Sequence, residues 1–319
     1  MKATEERLDE LRRQAERTGR VDAKGVRAIG APLPEPGAEH GYYGLPLLKP
    51  PVWTWEIPLY FFVGGAAGAS AMIAVAAQAS GANESLVRDA RRIALAGALI
   101  STPLLISDLG RPERFLNMLR VFKPQSPMSV GAWTVVAFST FAGAAVFADE
   151  LQRRTGARVK FIRDASGAAA ALTGLGMSTY TGVLLGATAI PAWSQHVNML
   201  PIHFAASAVA SASSLLELCG HRHRALPLLA SGAAAYEVVA TEQIRRGGLT
   251  STSLKTAALL SGAIPLALRV LGIRSKRARR AAALASLAGS LLTRFAWVEA
   301  GKTSARDPRV PLGLDVSPV

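Results

Sequence analysis

The stretch Ile93-Ala-Leu-Ala-Gly-Ala-Leu-Ile-Ser-Thr-Pro-Leu-Leu-Ile-Ser-Asp108-Leu-Gly-Arg-Pro-Glu-Arg-Phe115 joins an apolar run to a charged turn, and that junction decides the fold. No charge occurs between Ile93 and Ser107, so Asp108 places a carboxylic acid at or just inside a membrane boundary. Gly110 and Pro112 stop the helix, because glycine tolerates unusual dihedrals and proline has no N–H. Arg111 and Arg114 stand within a turn of the acid, placed to neutralise it or to hold an anionic partner. Phe115, Leu116, Leu119 and Val121 suit a short helix lying in the interface, and a second apolar run opens after Pro124, Pro127 and Met128. An ordinary charged loop between two helices is the alternative reading of this stretch alone.

Working outward, the same alternation of long apolar runs and short charged turns fills the chain. Half of its 319 residues are apolar and the mean hydropathy is +0.25. About 20 apolar residues span a bilayer, and a spanning segment must pair its backbone polar groups within itself. A β-barrel would alternate residue by residue, which this chain does not. The fold class is therefore an all-α membrane protein. The net charge of +14 comes mainly from arginine clusters between the apolar runs. Loops obeying the positive-inside rule explain it better than a nucleic-acid face.

The redox inventory is narrow. Cys219 is the single cysteine, which leaves neither an internal disulfide nor an iron–sulfur cluster, since a cluster takes several thiolates. Of the five histidines only His203 falls clearly within a span, so two intramembrane histidines are not available for a b-type haem, and no metal site is expected. Electrons that pass through such a chain must enter from a partner or from a dissociable molecule.

Eight transmembrane helices are expected, at about 57–79, 90–107, 128–148, 165–189, 198–219, 225–243, 253–272 and 280–299. An even number puts both termini on one side, called side A here. Lysines and arginines are more numerous on the opposite side, which places side A outside. Residues 1–52 read as a soluble extension and linker: Thr4–Thr18 suits a surface helix, and Gly30–Pro51 is rich in proline and glycine. A signal-peptide pattern is not seen.

Small residues mark where helices approach. Gly64 and Gly68 are four apart, and Gly174, Ser178, Gly182 and Gly186 form a ridge along the fourth span. Polar groups mark a depth. Trp53, Trp55, Glu56 and Tyr60 lie at the side A end of the first span, and Asp108 ends the second. Trp133 starts the third, Tyr180 lies in the side A half of the fourth, and His203 starts the fifth. Two carboxylates, a phenol, an imidazole and indoles at one depth suit a quinone head group, whose chemistry needs hydrogen-bonding and proton-accepting partners. Interface anchoring is the alternative for the tryptophans, arginine pairing for Glu56 and Asp108, and simple packing for His203. In the second half, Glu217 with Arg269 and Glu237 with Arg294 are expected as intramembrane ion pairs, with a proton path as the alternative.

The run Trp53-Thr-Trp-Glu-Ile-Pro-Leu-Tyr-Phe-Phe-Val-Gly-Gly-Ala-Ala-Gly68 resembles the first helix of the polysulfide reductase NrfD family. Asp108-Leu-Gly-Arg-Pro-Glu-Arg-Phe115 with Ser126-Pro-Met-Ser-Val-Gly-Ala-Trp133 is similar to its second-to-third helix junction. Tyr180-Thr-Gly-Val-Leu-Leu-Gly-Ala-Thr-Ala-Ile-Pro191 resembles its fourth helix, and Arg294 through Gly301 with Ser304-Ala-Arg-Asp-Pro308 resembles its close. The resemblance implies two four-helix bundles, here 53–189 and 190–301, followed by a tail over 302–319. It also implies a quinone or menaquinone site in the first bundle, near the face where a ferredoxin-like iron–sulfur subunit docks. That subunit would connect the quinone to a molybdopterin-type catalytic subunit, in the bacterial cytoplasmic membrane.

Carried over by motif, Asp108, Tyr180 and Glu56 are the candidates for hydrogen bonding and proton exchange. Trp55, Tyr60, Arg111, Trp133 and His203 are candidates for contact with the bound quinone. Two other functions stay open: a proton or solute transporter, which inverted repeats with interrupted helices would mark, and a passive membrane anchor for a peripheral enzyme.

Overall fold

The computed structural model describes residues 48–109, 113, 115–246, 249, 251–272 and 275–306. The expected Thr4–Thr18 helix, most of the Gly30–Pro51 linker, and Gly110, Arg111, Pro112 and Arg114 lie outside these residues. Every regular element among the described residues is helical.

Helices begin and end where local chemistry dictates. α1 spans Glu56–Ala79, with Glu56 in its positively polarised first turn. Gly81, at φ +67°, turns the chain toward α2 (Glu84–Ser107), whose N-cap Asn83 accepts a hydrogen bond from the Ser85 N–H at 3.0 Å. Asp108 caps the C-terminus of α2. α3 (Phe115–Met118) is a short helix at the expected position: Phe115 is buried, while Leu116, Val121 and Phe122 in and after it are exposed. α4 (Pro127–Thr155) starts with a Ser126 cap and proline at N1, and stops at Gly156, which takes the left-handed conformation. α5 follows at Lys160–Gly186 and the single turn α6 at Pro191–Ser194.

The second half contains α7 (Leu200–Leu218), α8 (Ala225–Arg246), α9 (Thr252–Ala258), a π-helical segment at Leu259–Ala263, α10 (Ile264–Leu271) and α11 (Lys276–Arg306). The π segment precedes Pro265, which has no N–H to offer the Ser261 carbonyl in an α-helical ladder.

Packing follows chain order. α1 lies against α2 and α5, α4 lies against α5 and α2, and α7 lies against α8. The α9–π–α10 rod packs on α11, while α1 and α5 reach α7, and α11 reaches α1 and α7. The small-residue ridges are places where helix backbones come close. A Cβ on Gly68 would lie 2.3 Å from the Gly174 carbonyl oxygen, and a Cβ on Gly174 would lie 2.7 Å from that of Gly68. Gly182 likewise faces the Leu200 backbone, at 2.5 Å. Direct backbone contact of this kind is how helices associate where no water expulsion drives them.

Among the described residues, six helical rods are long and apolar enough to cross a membrane: α1, α2, α4, α5, α9–α10 and α11. Eight spans were expected. The two that fall short are α7 and α8, although each occupies the anticipated position. α7 buries Ser207, Ser211, Ser213 and Ser214 among alanines, and α8 carries Glu237, Glu242 and Arg245. α7 is largely buried among other helices, which accommodates its serines, whereas α8 exposes Leu228, Leu229, Val238 and Val239 and owes its lower hydropathy to its charged C-terminal turns.

The expected ion pairs divide. Arg269 Nη1 lies 2.7 Å from both oxygens of Glu217, and Nη2 donates to Ser214 Oγ at 3.3 Å. Glu237 and Arg294 make no direct contact. Arg294 instead donates to the Phe204 carbonyl at 2.8 Å, with its guanidinium 3.7 Å from the centre of the Phe204 ring. Depth in the bilayer put these two charges together in the sequence, but the rotation of α11 aims Arg294 at α7.

Candidate functional site

The site is built where the chain enters α1 and leaves α2. Thr54, just before α1, donates its hydroxyl to Glu56 and lies 3.2 Å from Oδ1 of Asp108. The same oxygen faces the Thr54 N–H at 3.4 Å. A threonine hydroxyl has one proton to donate and lone pairs to accept with. Between two carboxyl groups it can accept from whichever is protonated while donating to the other, so Glu56, Thr54 and Asp108 form one proton-sharing unit.

Partial burial holds the Asp108 carboxyl above the ordinary carboxylate range. The two hydrogen bonds from Thr54 and the Lys302 ammonium pull it down, and the Glu56 charge pushes it further up.

From Glu56 the polar face continues along α1. Tyr60 lies one turn on and Gly64 two turns on, so the strip runs about 12 Å at ~1.5 Å rise per residue. Tyr60 is buried and lies within electrostatic reach of Tyr180 on α5. A Cβ on Gly64 would approach Met177 Cε at 2.9 Å and Ser101 Oγ at 3.3 Å. Ser101 stands two turns before Asp108 on α2, so one face of that helix presents both.

Tyr180 owes its position to Gly131 on α4, where a Cβ would lie 2.6 Å from Tyr180 Cε1. The Gly131 N–H lies beside the phenol but belongs to the α4 ladder. The Tyr180 hydroxyl and the Ser101 hydroxyl are both buried without a hydrogen-bond partner. Two orphaned hydroxyls, on the helices that also carry or neighbour the proton-sharing carboxyl pair, fit a ligand with carbonyl oxygens and exchangeable protons, which is the donor set a quinone requires.

The remaining candidates are placed elsewhere. Trp55 is 58% exposed. Trp133 is 37% exposed and meets Phe122 edge-on at 6.2 Å, the posture of an interface anchor. His203 lies 3.5 Å from Glu237 and packs against Phe204 and Trp297, in the second half of the chain. Arg111 is outside the described residues.

Sequence reasoning missed Thr54, Lys302 and Trp193. Thr54 is a neutral residue between two tryptophans, and its importance appears only when α1 meets the end of α2. Trp193 is fully buried in the single turn α6, stacked on Trp53 at 5.4 Å and donating to the Trp297 carbonyl at 2.8 Å. It occupies the space that a Cβ on Gly301 would need, 2.1 Å away. The run Trp53, Phe61, Phe204 and Trp193 thus walls the end of the molecule where α1 begins.

No curated protein matches the chain. A family model described as polysulphide reductase, NrfD matches residues 47–225, from just before α1 to the start of α8. That range includes Thr54, Glu56, Tyr60, Asp108, Tyr180 and His203, and ends before the C-terminal motif at Arg294. More than half of the chain is matched, and the protein belongs to the polysulphide reductase NrfD family, whose members are membrane subunits of quinone-linked oxidoreductase complexes.

Proposed function

We propose that this chain is the haem-free, quinone-reactive subunit of such a complex, passing electrons between a membrane quinone and a ferredoxin-like iron–sulfur subunit. In this reading eight helices cross the bacterial cytoplasmic membrane in two four-helix bundles. α1, α2, α4 and α5 form the first; α7, α8, the α9–α10 rod and α11 form the second. The pattern of helix neighbours supports the grouping. A molybdopterin-type catalytic subunit lies beyond the iron–sulfur partner.

The observation that carries the reading is the Glu56–Thr54–Asp108 unit in line with Tyr60 and the unpartnered Tyr180 hydroxyl. When bound, a quinone supplies two-electron, two-proton chemistry. Tyr180 donates a hydrogen bond that orients a carbonyl oxygen. Asp108 holds or releases a proton at its carboxyl, and Thr54 relays it to Glu56, which faces the aqueous end of α1. Gly131 keeps the Tyr180 ring in register, and the buried Tyr60 ring excludes water from the inner end of the strip.

Mild-detergent purification of the tagged protein from its native membrane tests the assignment. The reading expects an iron–sulfur subunit to co-elute and quinone to be extractable in near-stoichiometric amount. A chain that elutes alone and quinone-free, from membranes where it is fully retained, contradicts it.

A further inference from the structure

A second set of buried polar and ionisable groups gathers His203 with Glu237, Ser261 and Arg294, the last three beyond the residues matched by the family model. Glu237 on α8 is 1% exposed, and one of its oxygens, Oε1, has no hydrogen-bond partner. The other accepts from Ser261 Oγ at 3.1 Å and lies 3.5 Å from His203 Nδ1, itself buried and without a hydrogen-bond partner. Ser261 reaches Glu237 from the π segment, a helix irregularity of a type that recurs at functional sites. From α11, Arg294 adds a buried positive charge with two of its nitrogens unpartnered. A wholly structural cluster would close its hydrogen bonds, since a buried polar group without a partner loses its hydration for nothing in return.

This cluster is not sealed. A cavity of about 40 Å³ has His203, Glu237, Thr241, Arg245, Lys255 and Thr293 among its lining, with Ile244, Leu254 and neighbouring alanines forming an apolar side. One water needs about 10–15 Å³, so the cavity has room for a short file of waters. Thr241 and Thr293 give it polar walls beside Glu237. Arg245, Ser251 and Lys255 lie at the end where α8 stops and α9 begins, and Arg245 there is paired with Glu242 at 2.7 Å. The file therefore leads from an exposed rim to a carboxyl buried among helices.

We propose that Glu237 is a proton-binding site, loaded through this cavity from the α8–α9 end and sharing its proton with His203. In the loading step a hydronium in the file gives its proton to Oε1 of the Glu237 carboxylate, leaving a water and a neutral carboxylic acid. Rotation of the carboxylic acid turns its O–H toward His203, and transfer across the 3.5 Å gap then places the proton on Nδ1 and restores the carboxylate. Arg294 balances the charge of the carboxylate form, which makes that form tolerable at this depth. The groups facing Glu237 are thus His203 from α7, Ser261 from the π segment, and Thr293 and Arg294 from α11. Lys255 on α9 stands at the rim, and Tyr236 and Arg245 belong to its own helix. The site stands independently of the quinone reading as built on Thr54, Glu56, Tyr60, Asp108 and Tyr180, none of which it uses.

Infrared difference spectroscopy on the full chain in lipid nanodiscs, stepped in pH, tests this directly. The expected result is a carboxylic C=O band that grows as pH falls, disappears in Glu237→Gln and persists in the exposed control Glu242→Gln. With Glu237 intact, Thr241→Leu narrows the file and should slow deuterium exchange of that band by about tenfold or more, the effect of ~1.4 kcal/mol on a barrier. Should Glu237→Gln fail to fold, Glu237→Asp is expected to displace the band rather than remove it. A band unaltered by both Glu237 variants, or exchange as fast in Thr241→Leu as in the parent, overturns the proposal.

Discussion

Asp108→Asn is expected to lower quinone-linked turnover by about 10²-fold or more, the range that removal of a positioned proton-transfer group produces. Asparagine keeps an oxygen for Thr54 to bond, so the entry to α1 and the end of α2 stay joined. What it loses is the proton. Membrane insertion and assembly should therefore be unchanged, and the defect should appear in turnover rather than in yield.

The pH dependence gives the same claim a sign. Burial raises the Asp108 carboxyl while the Lys302 ammonium lowers it, so Lys302→Gln removes a restraint and lets it rise further. If turnover needs the carboxylate, the acidic limb of the pH–rate profile moves to higher pH in Lys302→Gln. That limb vanishes in Asp108→Asn. Normal turnover in Asp108→Asn would remove Asp108 from the chemistry altogether.

Arg269→Met is expected to destabilise the protein by about 3–5 kcal/mol, because it strands the Glu217 carboxylate inside the second helix group. Both oxygens of Glu217 depend on one guanidinium nitrogen, and the two side chains are only 10% and 3% exposed. The pair ties α7 to α10 at the end opposite the Asp108 site. Adding Glu217→Leu to Arg269→Met should recover most of the loss, since a buried pair replaced by packed apolar side chains is often neutral. Thermal unfolding in detergent reads both effects. A single variant as stable as the parent, or a double variant no better than the single, contradicts a buried pair.

These charges also show how far the sequence carries the fold. The apolar runs gave helix positions directly, because the bilayer fixes how long an apolar segment must be. Caps such as Asn83, Ser126 and Gly156 carry their own stereochemistry, and the Gly68–Gly174 crossing was marked by residues with no other reason to be small. Partner choice was less legible. Glu217 and Arg269 met as their depths implied, but Arg294 turned to the Phe204 carbonyl and ring, since depth says nothing about rotation around a helix axis.

The same limit governs the site. Glu56 and Asp108 come together through Thr54, and Tyr60 approaches Tyr180, because α1 carries Glu56 and Tyr60 one turn apart. Trp133 and His203 share their depth but sit on helices that turn them elsewhere, toward Phe122 and Glu237. Trp193 had no readable signal at all: its helix is four residues long, and its partners, Trp53 and Trp297, come from opposite ends of the described chain.

The central claim is that the hydroxyls and carboxyls of α1, α2 and α5 handle a quinone. Photolabelling with an azido-quinone, followed by peptide mapping, tests it most directly. Adducts confined to peptides around Tyr60, Ser101 and Tyr180, and suppressed by excess unlabelled quinone, are the predicted result; competed adducts that map only to α8, α10 or α11, or no competed adduct at all, contradict it.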